Sequence, residues 1–339
     1  MRYYILTTVK FAKECIEFKK YGSTNSNWLS NINIGDVVFL SQFNYQDQNI
    51  YGPFKVTRPL FYDKKVIFPS QKYYYRIKLE YDKLQYIDET DLYLNGINCK
   101  NRNFAFTLIS LLQQNKHLHS ICLNNQEGEF ILETIKNYGN NLLSIDTKDY
   151  IPLYDKSKVD LAFLADKNKL QNKPYFSSES DLEAYIILCL KNKNNITHKH
   201  LKDILNVYPK NNIDNSSIYN QFVFGNAYPS DIVILNKDNI NIIELKKTEL
   251  DKNMIPTLEK EIKKYCLYSL YSDRLEEDPE QINFILIVLK DKNNISFKRH
   301  LEDYFEKSLV EVSNLKNYNF MIVEYYIKDG RLLFEAPLI

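Results

Sequence analysis

The sequence predicts an α+β protein of two domains, a β-rich N-terminal one with helices and a C-terminal α/β one built on a mixed sheet. Three observations lead there. The chain has 339 residues, and single hydrophobic cores rarely grow past roughly 250 to 300 residues before a chain divides. From Met1 to Tyr81, short β-branched and aromatic runs are broken by turn residues about every 8 to 12 positions, the rhythm of a small β-barrel. From Ser178 onward, helical periods stand before and after a central run of strands, the order of a layered α/β core.

Taken along the chain, Arg2–Thr8 reads as the first strand and Phe11–Tyr21 as a helix across one end of the barrel. Strands follow at Asp36–Leu40 after Gly35, at Ile50–Tyr51 running into Gly52-Pro53, at Phe54–Thr57, and over the alternating stretch Tyr73–Tyr81. Apolar residues recur at helical spacing from Asn103 to Leu123, and Glu129–Tyr138 gives a shorter helix ending at Gly139. The polar, Pro-containing segment Asn140–Pro174 places the domain boundary, giving domains 1–145 and 146–339. Beyond it the expected elements are a helix at Ser178–Lys191 and strands at Tyr219–Phe224, Asp231–Leu235 and Ile240–Lys246. A helix at Thr257–Tyr271, a strand at Ile282–Leu289, a helix at Phe297–Leu309 and a strand at Phe320–Ile327 complete the order.

Composition narrows the function classes. Hydrophobic residues are 44% and charged residues 26% of the chain, which excludes a disordered or collagen-like protein. With a mean hydropathy of −0.42 and no run of about 18 apolar residues, no membrane span is expected. The first ten residues lack a signal-peptide pattern, so a cytoplasmic location is expected. The five cysteines are scattered and never C-x-x-C, and neither His117/His119 nor His198/His200 has a third ligand nearby. Neither a disulfide framework nor a zinc site is expected.

The net charge of +1, from 44 basic and 43 acidic residues, hides a split. Met1–Lys78 carries 12 basic and 5 acidic residues, so the remainder is net acidic. Lys55, Arg58, Lys64, Lys65, Lys72 and Arg76 of this basic head supply the sequence-independent attraction that nucleic acid requires. The 27 Tyr and 19 Phe accompany a general enrichment in Asn, Lys and Ile, the mark of an AT-rich coding bias, so ring abundance is no sign of base stacking.

Chemistry concentrates in Tyr228-Pro229-Ser230-Asp231-Ile232-Val233-Ile234-Leu235, a four-residue turn, and Ile240-Asn241-Ile242-Ile243-Glu244-Leu245-Lys246. Two apolar β-branched runs across a short polar turn make a hairpin. Centring the turn pairs Leu235 with Ile240 and Asp231 with Glu244, and strand alternation puts Lys246 on the side of Glu244. Like charges directly opposed across strands are destabilising, whereas a divalent cation between them turns repulsion into coordination. Few hard oxygen ligands suit Mg²⁺ or Mn²⁺. Lys246 beside the metal would orient or help deprotonate a water and stabilise charge on a phosphate, which is metal-assisted phosphodiester hydrolysis. Glu183, on the helix Ser178–Lys191, offers a third carboxylate. Each residue has a plainer role open to it: Asp231 as a turn residue, Glu244-x-Lys246 as a common strand pair, and Glu183 as the end of a capping box begun by Ser180.

Glu183, Pro229-Ser230-Asp231 and Glu244-Leu245-Lys246 followed by a helix resemble the PD-(D/E)xK nuclease superfamily, over about residues 175–330. The resemblance implies a restriction-endonuclease-like mixed sheet flanked by helices, one or two Mg²⁺ held by Glu183, Asp231 and Glu244, and Lys246 as the catalytic lysine. Some members carry Q-x-x-x-Y on the next helix; here the spacing is Glu261-Ile262-Lys263-Lys264-Tyr265, which implies an accessory role for Tyr265 and departs at Glu261. Ser26-Asn27-Trp28, Ile34–Phe39 and Ile50–Val56 resemble the PUA/EVE-like barrels related to YTH domains, implying that Asn27 and Trp28 contact a modified base, with core packing the plainer role for Trp28. Together the resemblances imply an Mg²⁺- or Mn²⁺-dependent endodeoxyribonuclease acting on double-stranded DNA as a homodimer, of the modification-dependent restriction kind. A repair nuclease for branched or mismatched DNA, and an inactive nucleic-acid-binding protein, are the alternatives.

Overall fold

The computed structural model describes residues 1–8, 11–43, 48–68, 72–95, 120–142, 161–171, 175–206, 213–224, 229–272, 274–275, 279–291, 300–301, 303–305, 307 and 317–336. The chain divides into two compact units, Met1–Val159 with Val223–Tyr228, and Asp160–Phe222 with Pro229–Ile339.

In the first unit the order is β1 (Tyr3–Thr8), α1 (Ala12–Glu17), β2 (Lys20–Ser23), α2 (Asn27–Ser30), β3 (Val37–Phe43), β4 (Gln48–Tyr62), β5 (Tyr75–Glu80) and β6 (Gln85–Asp88). Then come α3 (Glu89–Asn95), β7 (Ser120–Leu123), α4 (Asn125–Tyr138) and β8 (Asn140–Asn141). The strands hydrogen-bond in the order β2-β5-β4-β3-β1-β7, with β6 on β4 and β8 on β6. β1 and β3 run parallel, which makes the sheet mixed. Its curvature comes from β4, whose pairing slips between Val56 and Arg58 and again before Phe61. An extra residue on one strand bends it and raises its twist, and the sheet closes to a half-barrel. Ile5, Leu6, Phe39, Phe54, Val56, Ile77 and Leu79 are fully buried, with side chains on both faces of the sheet.

The helix α4 begins with a capping box, Glu127 N–H on Asn124 Oδ1 at 2.8 Å and Asn124 N–H on Glu127 Oε2 at 2.9 Å. It lies so close to β1 that a Cβ on Gly128 would stand 2.0 Å from the Tyr3 ring. Two sequence expectations fail here. The helix expected over Phe11–Tyr21 stops early because Lys19 turns left-handed, at φ 49°, and Lys20–Ser23 pairs with β5 instead. In the expected helix Asn103–Leu123, residues 103–119, among them His117 and His119, lie outside the described ones. Ser120–Leu123 forms a strand against β1, since a short apolar run fits strand and helix equally and β1 supplies a partner.

The second unit comprises α5 (Leu161–Asn168), α6 (Glu179–Leu190), α7 (Ile196–Leu205), β9 (Ser217–Phe222), β10 (Ser230–Leu235), β11 (Asn239–Leu245), α8 (Ile255–Tyr271), β12 (Gln281–Leu289), β13 (Asn317–Lys328) and β14 (Arg331–Glu335). The sheet order is β14-β13-β12-β11-β10-β9. β11, β12 and β13 are parallel and the outer pairings antiparallel, the mixed sheet the sequence predicts. β11 is buried along its whole length, consistent with a strand covered on both faces. One row of polar side chains crosses these apolar strands: Asn283 donates to Asn241 Oδ1 at 2.9 Å and Asn319 to Asn283 Oδ1 at 2.9 Å, from positions directly opposed in the ladders.

Of the expected helix Phe297–Leu309, residues 300–301, 303–305 and 307 are described, and these are helical. His198 accepts a structural role, 3.2 Å from Asp214 Oδ1 and 3.1 Å from the Leu190 carbonyl. Cys15, Cys122 and Cys189 are buried free thiols; Cys99 and the side chain of Cys266 lie outside the described residues. Among the described residues no helix is long and apolar enough to cross a membrane.

Candidate active site

The site is built at one end of the β10–β11 hairpin. β-branched runs on both strands and an Asn-Lys-Asp turn set its register, Ile232 opposite Ile243 and Leu235 opposite Ile240, as the sequence predicts. Past Ile232 the ladder is continued by a side chain: Asp231 Oδ2 accepts the Leu245 N–H at 2.8 Å. That bond fixes Asp231 beside Glu244 and Lys246. The Lys246 ammonium donates to Glu244 Oε1 at 2.6 Å and stands 3.8 Å from Glu261 Oε2 on α8.

Three carboxylates thus surround one ammonium, and the charges respond. Burial raises Asp231 to about 6, against the opposing Leu245 N–H and Lys246. Glu244, 6% exposed, is pushed well above the ordinary glutamate range by burial first and by Asp231 second. For Lys246, burial acts against the charge, but Glu244, Glu261 and Asp231 outweigh it and hold the ammonium above the ordinary lysine range. Lys246 is thus an ammonium held among three carboxylates, placed to act electrostatically. Glu261 Oε2 is buried without a hydrogen-bond partner, its ion pair with Lys246 apart.

Glu183 arrives from α6. Ser178 caps that helix by accepting the Asp181 N–H, and Asp181 is tied to Lys167 of α5 at 2.9 Å. The cap is Ser178 rather than Ser180, so Glu183 belongs to no capping box. Glu183 is 2% exposed, and its carboxylate accepts from Gln221 Nε2 at 2.8 Å and Asn220 Nδ2 at 3.4 Å. Gln221 Nε2 also reaches Asp231 Oδ1 at 3.4 Å. Glu183 is therefore linked to Asp231 through an amide, and among the described residues no group of three or more His, Cys, Asp or Glu forms a ready metal cage. Sequence reasoning missed Gln221. Its φ of 50°, left-handed for a residue with a Cβ at a cost of roughly 1–2 kcal/mol, has no signature in the sequence.

Tyr265, on α8, is buried against the start of β10. Its hydroxyl donates to the Pro229 carbonyl at 2.9 Å and its ring stacks on Phe284. Burial first, then Glu244, Asp231 and Glu261, push the phenol up, so it stays a donor and pins the chain two residues before Asp231. Lys263 is engaged with Glu259 at 2.8 Å on the same helix.

In the first unit, Lys55, Lys64, Lys65 and Lys72 are exposed, and Arg58 lies with its guanidinium 4.2 Å from the Phe61 ring centre. Arg76, unlike these four lysines, is 1% exposed and paired with Asp63 and the Lys65 carbonyl, so it serves the fold rather than a nucleic-acid surface. Asn27 and Trp28, on α2, are both buried, Trp28 at 8% exposure.

The two units define an α+β protein with a half-barrel sheet and a mixed sheet that carries a carboxylate–lysine cluster. A scan against protein-family models finds no match, and no curated protein matches the chain. Among solved structures it is similar to a protein from Pseudomonas putida, at 13% identity over 39% of this chain and 98% of that one, TM-score 0.30. It is also similar to human THYN1 protein, solved in complex with 5-methylcytosine-containing DNA, at 15% identity over 39% of this chain and 96% of that one, TM-score 0.29. A hypothetical protein from Leishmania major gives 16% identity over 40% and 96%, TM-score 0.29. Similarity of this size assigns no function to the chain.

Proposed function

We propose that this protein is a metal-dependent endodeoxyribonuclease of the PD-(D/E)xK kind, with a basic N-terminal unit that reads DNA, in the manner of a modification-dependent restriction enzyme. The observation that carries the reading is the Lys246 ammonium held 2.6 Å from Glu244 in the same cluster as Asp231. Asp231 and Glu244, with Glu183 behind them, would hold Mg²⁺ or Mn²⁺. The fit rests on their hard oxygen donors and on the excess of buried carboxylate over cation, which leaves Glu261 Oε2 without a hydrogen bond. Such an ion, when bound, supplies Lewis acidity toward a phosphate oxygen.

The chain's own residues do the rest. Lys246, charged and oriented by Glu244, stabilises the negative charge that develops on the phosphate. Tyr265 fixes the backbone at Pro229 and so the position of Asp231. Lys55, Lys64, Lys65 and Lys72 draw in the phosphate backbone. Cutting both strands of a duplex takes two such sites, which a homodimer provides; light scattering of the purified chain measures it.

The test is a cleavage panel with Mg²⁺ or Mn²⁺ over modified, unmodified, branched and mismatched DNA and RNA, with Lys246→Ala as control. Cutting of modified DNA alone, lost in the variant, is the expected result. Equal cutting of modified and unmodified duplex removes modification dependence, and preference for branched or mismatched DNA marks a repair nuclease. A second reading is an inactive DNA-binding protein, in which the Lys246–Glu244 ion pair is structural. Binding without cleavage of any substrate would establish it.

A further inference from the structure

We infer that Gln221 is a positioning residue, whose left-handed backbone and single amide nitrogen tie Glu183 to Asp231 and orient both carboxylates for a divalent cation. This rests on the reading of Asp231 and Glu244 as metal-binding carboxylates. On either side of Gln221 the sheet is regular: Asn220 pairs with Ile232 and Phe222 with Ser230. Gln221 alone leaves the ladder where it would face Asp231, with φ at 50°. A non-glycine residue keeps that conformation only where its surroundings impose it.

What the conformation achieves is visible in the side chain. Nε2 carries two hydrogens, and it lies 2.8 Å from Glu183 Oε2 and 3.4 Å from Asp231 Oδ1. With a carboxylate on each side, only the NH₂ end can face them, so the amide's orientation is fixed by chemistry. A lysine or arginine here would also bridge two carboxylates, but its charge would cancel the negative potential that attracts a cation. An amide bridges and stays neutral. Groups that orient metal ligands in this way typically account for 10- to 100-fold in metal affinity.

The experiment measures Mn²⁺ alone, by electron paramagnetic resonance titration of the full chain, alongside the melting temperature. Gln221→Gly suits the left-handed backbone and removes the amide. The expected result is a Mn²⁺ affinity about 10- to 100-fold weaker with melting unchanged or raised. Gln221→Met, which keeps side-chain length and backbone strain without donors, should lose the same affinity, and Gln221→Asn, which keeps the NH₂ and tolerates the left-handed region, should regain part of it. Parent-like affinity in both the glycine and methionine variants overturns the inference while leaving the metal reading intact. A parent chain that binds no Mn²⁺ overturns the metal reading, and the inference with it.

Discussion

Each unit buries a carboxylate–cation cluster, and the two are balanced in opposite directions. In the first, one carboxylate faces two cations: Asp63 pairs with Arg76 and stands 3.4 Å from Lys20. Burial raises Asp63, but the Lys65 N–H, Arg76 and Lys20 outweigh it and hold it below the ordinary carboxylate range. In the second, one ammonium serves Glu244, Glu261 and Asp231, and both Asp231 and Glu244 are raised. The first cluster is complete in itself and serves the fold. The second is short of positive charge, which the proposed divalent cation would supply.

The largest effect expected from breaking this contrast is at Lys246. Lys246→Ala should lower cleavage by about a hundred- to ten-thousandfold and leave DNA binding in a gel-shift assay intact; loss of binding instead would make Lys246 a DNA contact. In the other cluster, Arg76→Ala leaves Asp63 under-compensated in a buried site and should cost about 3–5 kcal/mol in urea unfolding, with no direct effect on the chemistry.

A packing control comes next. Gly128→Ala raises helix propensity, yet its Cβ would overlap the Tyr3 ring, so a net loss of about 1–3 kcal/mol is expected; a stabilised variant would contradict the α4–β1 packing. Asp63 also makes the comparison visible in pH. Its folded pKa lies below its unfolded value, so its contribution is present above roughly pH 4 and is lost as pH falls through the folded value. The melting-temperature gap between the parent and Asp63→Asn should therefore hold at pH 5 to 7 and close on acidification; a gap that widens in acid would refute the pairing. The smallest effect belongs to exposed cations. Lys64→Ala with Lys65→Ala should weaken DNA binding a fewfold and lower the salt slope by about 2, read by anisotropy.

Much of the candidate site was legible because a hairpin obeys period two and its turn length sets its register. Asp231, Glu244 and Lys246 could be brought together from spacing alone, and the mixed sheet followed from the element order. Gln221 could not, because a left-handed residue inside a strand leaves no trace in residue type unless it is glycine. Arg76 counts as one more basic residue in composition, because nothing in residue type shows that Asp63, 13 positions away, pairs with it. The strand β7 fits a helix equally well in sequence for a different reason: three apolar residues after a serine carry no period, and only β1 decides between the two. The helix over Leu161–Asn168 lies inside Asn140–Pro174, where polar residues and Pro152 point to a boundary and eight residues carry too little period to show a helix.

The row Asn241, Asn283 and Asn319 has a mechanical consequence. A strand buried on both faces and made of Ile, Val, Phe and Leu looks the same after a shift of two residues, so apolar contact alone aligns it poorly. Three amides joined in single file do not tolerate that shift, because Asn241 and Asn283, both fully buried, would be left without their partners. They act as an indexing pin through the parallel strands, and the pin sits three residues from Glu244. The precision with which that carboxylate meets its lysine is thus set inside the sheet, by a row of neutral side chains that take no part in the chemistry.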